Sequence, residues 1–345
     1  MTAYASKSGR LENLLSLKGL ACVLVVAYHV VAIDPRRNTA PDYLRLWQFC
    51  AVLAHLRMPL FAFLGGYIFS IRPVVLGTYQ RFMRRKLVRL YVPAVTAGAL
   101  YIVLSGLAKG GGGQIEYMNI LRSLVYSTGP YWFVQAMVVI FFAVSLAEIC
   151  GFLSTLRRFV MVLMVAIALN IYGNAGIVLF SLDGAVYLLP FFIMGMGMHR
   201  YSSLIRWKGW FPSVVAFVFG LTFVVQVAGI FGFHGAPIER NTLMALLLST
   251  SSLLIAFHLV PPVKALDFVG RYSFTIYLFH FLFIGAMQRF GRVAGMEEDY
   301  AWFIATLIVG GSGPILVEKI ARRLPDTLQL CLIGSDGGRI GAAAR

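Results

Sequence analysis

Nineteen residues from Leu14 to Ala32, LLSLKGLACVLVVAYHVVA, form a run long and apolar enough to cross a bilayer. A segment in lipid must satisfy its backbone hydrogen bonds internally, so the run has to be a helix. It nonetheless holds two ionisable residues, Lys18 and His29. They are eleven positions apart, and at about 100° per residue that comes to roughly three turns. Both side chains leave one helix face, roughly 16 Å apart along the axis. An ionisable group at membrane depth faces the protein interior or a water-filled cavity and marks a functional position. Lys18 is near enough to one end to snorkel to the interface instead, as a topology anchor. His29 is read as a buried group with a partner or a task.

Comparable runs recur along the chain. Of its 345 residues 59% are hydrophobic and 13% charged, about half the charge fraction of a soluble domain. Spans are expected over 13–33, 46–71, 88–107, 132–150, 159–172, 184–198, 210–231, 242–260, 272–288 and 301–317. The fold class that follows is all-α, a polytopic transmembrane helix bundle of about ten spans with both termini cytoplasmic. Residues 1–324 make one integral membrane domain, and 325–345, ending SDGGRIGAAAR, read as a disordered cytoplasmic tail. The first run is longer than a signal-peptide core and no small-residue cleavage site follows it, so it is expected to be retained. Cys22, Cys50, Cys150 and Cys331 show neither metal-ligand nor disulfide spacing, and no metal site is expected.

The net charge of +16 suits nucleic acid, anionic lipid or the positive-inside rule. With the N-terminus in the cytoplasm, 21 of the 30 lysines and arginines fall in inside segments, 8 in outside loops, and Arg57 within a span. That asymmetry explains much of the charge through membrane topology, with membrane lipid as the partner and no nucleic acid.

Polar groups cluster in four places. The second span, LWQFCAVLAHLRMPLFAFLGGYIFSI, carries His55, Arg57, Pro59 and the pair Gly65-Gly66. Arg57 either needs a buried partner or cavity, or marks the outer edge of a shorter span beginning near Pro59. The proline and glycines point to a broken helix or a close helix crossing. In RFMRRKLVRLYVP, Arg85 and Arg89 are i,i+4 and Lys86 and Arg89 are i,i+3, which gathers cations on one helical face. They either set topology against lipid phosphates or hold a polyanionic cytosolic ligand such as a nucleotide or coenzyme. Gly110 to Gly113 lacks the lysine-hydroxyl pair of a phosphate loop. The fourth span begins with Tyr131 and Trp132 at the outer boundary, and Gln135 one turn in either bonds across helices or lines a cavity. In the ninth span Ser273, Tyr277 and His280 form one helical stripe, either a polar lining or a helix-helix hydrogen-bond network.

Together these stretches resemble the acyltransferase-3 family of bacterial membrane acyltransferases. SLKGLACVLVVAYH is similar to the family's first helix, in which ten residues separate a basic residue from a histidine. MPLFAFLGGY resembles its second-helix segment, FMRRKLVRLYVP its inside arginine motif, and GRYSFTIYLFH its late Ser…Tyr-Leu…His helix. The Tyr131-Trp132-Phe133 start of the fourth span fits one branch of the family. The resemblance implies transfer of an acyl group, usually acetyl, from a cytosolic acyl-CoA co-substrate at a bacterial inner membrane. The acceptor it implies is a hydroxyl of an envelope or exported polysaccharide or glycolipid. Carried over, it makes His29 catalytic, together with His280, and assigns Lys18, Arg85, Lys86 and Arg89 to the donor. Arg57, Tyr277, Ser273, Trp132 and Gln135 would line the pocket. The chain departs from the family with Lys86 for a frequent arginine, Gly65 for serine, Gln135 for glutamate in some branches, and Arg57 for a frequent histidine.

The implied chemistry needs a base for the hydroxyl proton and donors for the developing oxyanion. His29 can be that base, or can carry the acyl group itself. The roughly 16 Å from Lys18 to His29 is comparable to an extended pantetheine arm, so the thioester would thread inward while the phosphates stay cytoplasmic. Succinyl is the alternative acyl group. A glycan or lipid transporter without covalent chemistry also suits ten spans with buried histidine and arginine, though no inverted repeat is visible.

Overall fold

The computed structural model describes residues 2–32, 41–108, 122, 125–126, 129–173, 176–205, 207–233, 235–296 and 299–335. Among these residues the chain is helical, with one isolated antiparallel bridge between Tyr126 and Leu179. The helices are α1 (Thr2–Ala32), α2 (Pro41–Val52), α3 (Ala54–Ile71), α4 (Tyr79–Lys86) and, after a π turn at Leu87–Tyr91, α5 (Val92–Ala108). Next come α6 (Trp132–Ile149), α7 (Leu156–Tyr172), α8 (Leu182–Arg200), α9 (Phe211–Ile230) and α10 (Leu243–Leu259). The last four are α11 (Lys264–Arg271), α12 (Ser273–Val293), α13 (Tyr300–Ala321) and α14 (Asp326–Ile333).

Each expected span falls on helix. Among the described residues seven helical segments are long and apolar enough to cross a membrane, or eight if α10 and α11, bent by 118°, count as one broken span. Helices α7 and α10 are short, at 17 residues each. Helix α12 has the length, but His280, Gln288, Arg289 and Arg292 dilute its hydropathy. The chain is a multi-pass membrane protein.

Two expectations are corrected. The span expected at 46–71 is two helices divided at Leu53, while Pro59 sits inside α3 without breaking it. Arg57 lies in the first turn of α3 and is 8% exposed, so it is a buried group and not a boundary marker. The tail expected to be disordered from residue 325 instead forms α14, which packs on α5 and buries Gln329 and Ile333. Pro325 precedes its first turn, and Gly334 at φ 66° ends it in the left-handed conformation that favours glycine. Residues 336–345 lie outside the described residues.

Glycine sets the two closest crossings. A Cβ at Gly66 would overlap the Phe192 carbonyl, and one at Gly195 the Phe63 carbonyl, so α3 and α8 pack backbone to backbone. The crossing anticipated at Gly65-Gly66 is thus made by Gly66. A Cβ at Gly65 would press on the flexible end of Met137 and meet the Phe192 ring at ordinary van der Waals distance. Likewise Gly19 of α1 abuts the Leu266 carbonyl, and Gly270 of α11 abuts the Leu15 carbonyl. Ser16 locks this second crossing by donating to Asp267 and accepting from the Val263 amide. Helix α1 also packs against α3 and α12, which brings three polar-bearing helices together.

Candidate active site

Where α1 meets α12, His280 Nε2 lies 2.9 Å from His29 Nδ1. The other nitrogen of His280, Nδ1, lies 2.8 Å from the Ile276 carbonyl one turn earlier. A carbonyl oxygen can only accept, so His280 Nδ1 carries a proton. In a neutral imidazole the lone pair is then on Nε2, which accepts from the Nδ1–H of His29. These tautomers are assigned from the hydrogen-bond partners. They leave the lone pair of His29 on Nε2. His280 is fully buried, whereas His29 is partly open and borders a cavity of about 410 Å³.

The walls of this cavity, named the outer one after the expected topology and set against an inner one below, come from distant parts of the chain and include Tyr28, Trp47, Arg57, Trp132, Tyr187 and Tyr277. The Arg57 guanidinium carbon lies 3.8 Å above the centre of the Tyr28 ring, in cation–π geometry. Arg57 is also within electrostatic range of His29. Trp132 is seated by Gly184, where a Cβ would press on the indole, and the neighbouring Tyr131 hydroxyl donates to the Leu278 carbonyl at 2.9 Å. The segment ahead of α10 is pinned at the wall of the same cavity. The Ile238 amide donates to Gln226 at 2.9 Å, and the Ile238 carbonyl lies 3.1 Å from His55 Nε2.

A second cavity of about 190 Å³ lies on the other side of Tyr277, and its walls include Lys86, Phe133, Phe141, Ser273 and Phe274. Tyr277 borders both spaces. Its phenol oxygen faces the backbone amides of Phe133 and Val134, first-turn donors of α6 that have no partner within the helix. Lys86 reaches across this inner cavity to the Phe141 ring, with Nζ 3.9 Å from its centre. Lys18 and Arg89 lie within electrostatic range of Lys86.

The structure therefore gathers most of the expected site residues, but in two groups. His29, Arg57, Trp132 and Tyr277 share the outer cavity, with His280 directly behind His29. Ser273, Lys86 and again Tyr277 share the inner one. Lys18, Arg85 and Arg89 line neither cavity, although Lys18 and Arg89 add their charge beside Lys86. Gln135 is corrected as a lining residue. It borders neither cavity and is buried, accepting a 3.0 Å hydrogen bond from Ser181 ahead of α8. Sequence reasoning missed Tyr28, Tyr187 and Gln226. Gln226, a lone amide inside an apolar helix, was the one that carried a readable signal.

The model of the acyltransferase-3 family, an acyltransferase domain, matches residues 12–316, from within α1 to within α13. No curated protein and no solved structure matches the chain. The matched residues hold both histidines, both cavities and the basic helix face between them, and the chain belongs to the acyltransferase-3 family.

Proposed function

We propose that this membrane acyltransferase moves an acetyl group from cytosolic acetyl-CoA to a hydroxyl of an envelope or exported glycan. The observation that carries this reading is the His29–His280 pair, which engages His29 Nδ1 and leaves Nε2 as the basic nitrogen of a residue bordering a cavity. In the reaction His29 Nε2 takes the proton of the acceptor hydroxyl as its oxygen attacks the thioester carbonyl. The new C–O bond forms and a tetrahedral oxyanion develops. When that intermediate collapses, the C–S bond breaks and the departing thiolate takes the proton from His29. His280 acts as a positioning residue. It holds the imidazole in one tautomer and stabilises the imidazolium that forms in mid-reaction.

The donor enters beside Lys86, with Lys18, Arg85 and Arg89 placed for the coenzyme phosphates and the pantetheine arm running past Ser273 and Tyr277 toward His29. Acetyl is the acyl group that the family usually transfers. The membrane is the bacterial inner membrane, crossed ten times with both termini cytoplasmic. Family membership favours group transfer over transport without chemistry. The test is to incubate purified protein with acetyl-labelled acetyl-CoA and envelope glycan from the producing cells. The expected product is glycan-bound label released by mild alkali, as an ester is. Label that stays entirely in acetyl-CoA contradicts the proposal.

A further inference from the structure

Arg57 is the most exacting group in the outer cavity. It is 92% buried by its 8% exposure, yet among the described residues its guanidinium has no hydrogen-bond or ion-pair partner. One face of the planar group is covered by Tyr28, which leaves the N–H edges as donors. The groups within electrostatic range are Tyr28, Cys50, Tyr187, His29 and His55, none of them an anion in its ordinary state. A buried cation of this kind is normally paired, because removing it from water costs several kcal/mol. No acidic residue lines this cavity among the described residues. The one further cation there, Arg240, is already 3.4 Å from Asp183.

The remaining walls fit a sugar. Trp47, Trp132 and Tyr187 add aromatic side chains to the wall, while His55 and Gln226 are already committed to the Ile238 segment. Aromatic faces beside an unpaired guanidinium make a receptor for a ring that is apolar on one face and anionic at one edge. Arginine is suited to this, since its fork engages a carboxylate or phosphate bidentately.

We infer that the acceptor is an anionic glycan, whose carboxylate or phosphate ester binds Arg57 and so delivers a neighbouring hydroxyl to His29. The inference rests on the acyl-transfer reading for its consequence, but the anion site can be tested without it. The probes are methyl glucoside as the neutral acceptor, methyl glucuronide as the carboxylate and glucose 1-phosphate as the phosphate. Each is titrated calorimetrically into the purified protein and then assayed with acetyl-CoA by release of free coenzyme A.

At least one anionic probe is expected to bind about tenfold or more tightly than methyl glucoside, the range of a charge-assisted hydrogen bond. Which of the two does so identifies carboxylate or phosphate as the source of the charge. In Arg57→Gln the anionic-to-neutral ratio falls to about one, and Arg57→Lys keeps part of it because the charge remains. Equal binding of all three probes, or of none, overturns the inference. So does a preference that persists in Arg57→Gln, or an equal loss for neutral and anionic acceptors, which would place Arg57 with the reacting atoms. A parallel arm with succinyl-CoA in place of acetyl-CoA covers the donor. An Arg57-dependent preference for succinyl-CoA, with none among the acceptors, puts the anion on the acyl group and also overturns it. Arg57-dependent binding of an anionic probe without any coenzyme A release supports the anion site and contradicts the acyl-transfer reading alone.

Discussion

His280 Nε2 lies 2.9 Å from His29 Nδ1 across 251 positions of sequence, and this one contact fixes which nitrogen of His29 is left for chemistry. The pair works as a directional chain, from the Ile276 carbonyl through His280 to His29. A residue behind the base is expected to affect turnover more than binding.

Replacing His280 tests that directly. His280→Ala leaves His29 free to rotate and change tautomer, and is expected to lower kcat about 10- to 100-fold, the usual scale for loss of a supporting hydrogen bond to a functional imidazole. KM for acetyl-CoA should hardly move. His280→Gln keeps an amide oxygen that can accept from His29 Nδ1–H, so it should recover part of the loss. Steady-state rates on the three proteins separate the two parameters. A rise in KM with kcat unchanged would place His280 at the donor instead.

Lys86 is expected to act on the other substrate. Lys86→Met should raise KM for acetyl-CoA by about tenfold, the lower range for a charged hydrogen bond. Lys86→Arg, the residue frequent in the family, should stay near wild type. With S-acetyl-pantetheine, which lacks the nucleotide phosphates, the Lys86→Met effect should shrink. An undiminished effect would mean that Lys86 serves the thioester end.

The two adjacent glycines of α3 should behave differently. Gly66→Ala forces a methyl into the Phe192 carbonyl and should destabilise the protein by about 1–3 kcal/mol. Gly65→Ala displaces only the end of the Met137 side chain and should be milder. Gly311→Ala on α13, with open space around it, should be neutral or slightly stabilising through helix propensity. Thermal melts in one detergent rank the three. Equal melting temperatures for the Gly65 and Gly66 variants would contradict the backbone-to-backbone crossing.

Helix α14 bears on the basic stretch proposed to hold the donor, since a Cβ at Gly334, just past its end, would overlap the Arg89 carbonyl. A chain ended at Leu324 loses the packing on α5 and on the π turn that carries Arg89. It should melt at lower temperature and show a severalfold higher KM for acetyl-CoA, with kcat less affected. Unchanged kinetics would make α14 a purely structural cap.

Local pattern carried a large part of this architecture. The apolar runs placed helices at every expected span, because a lipid environment leaves the backbone little choice. The eleven-residue spacing of Lys18 and His29 put them on one face of α1, and the structure brings Lys18 within electrostatic range of Lys86 while His29 reaches the outer cavity. The stripe on α12 was legible as a stripe, but its division was not. Ser273 serves the inner cavity, Tyr277 both, and His280 the histidine on α1, because that depends on which helices pack alongside. The break at Leu53 has no glycine or proline to announce it, and the proline that is present, Pro59, does not break α3. Helix α14 did have signals, Pro325 before it and Gly334 after it, but the composition of the last ten residues was extended over them. Gln135 misled because an amide one turn into a span is equally suited to lining a cavity or to bonding across helices, and it bonds Ser181 ahead of α8.

The most direct measurement is the initial rate of coenzyme A release by purified wild-type and His29→Ala protein, given acetyl-CoA and acceptor glycan from the producing cells, at matched amounts of folded protein. Removing the general base should lower the acceptor-dependent rate by about 10²- to 10⁴-fold. A His29→Ala protein that releases coenzyme A near the wild-type rate would contradict the assignment of His29 as the group that takes the hydroxyl proton.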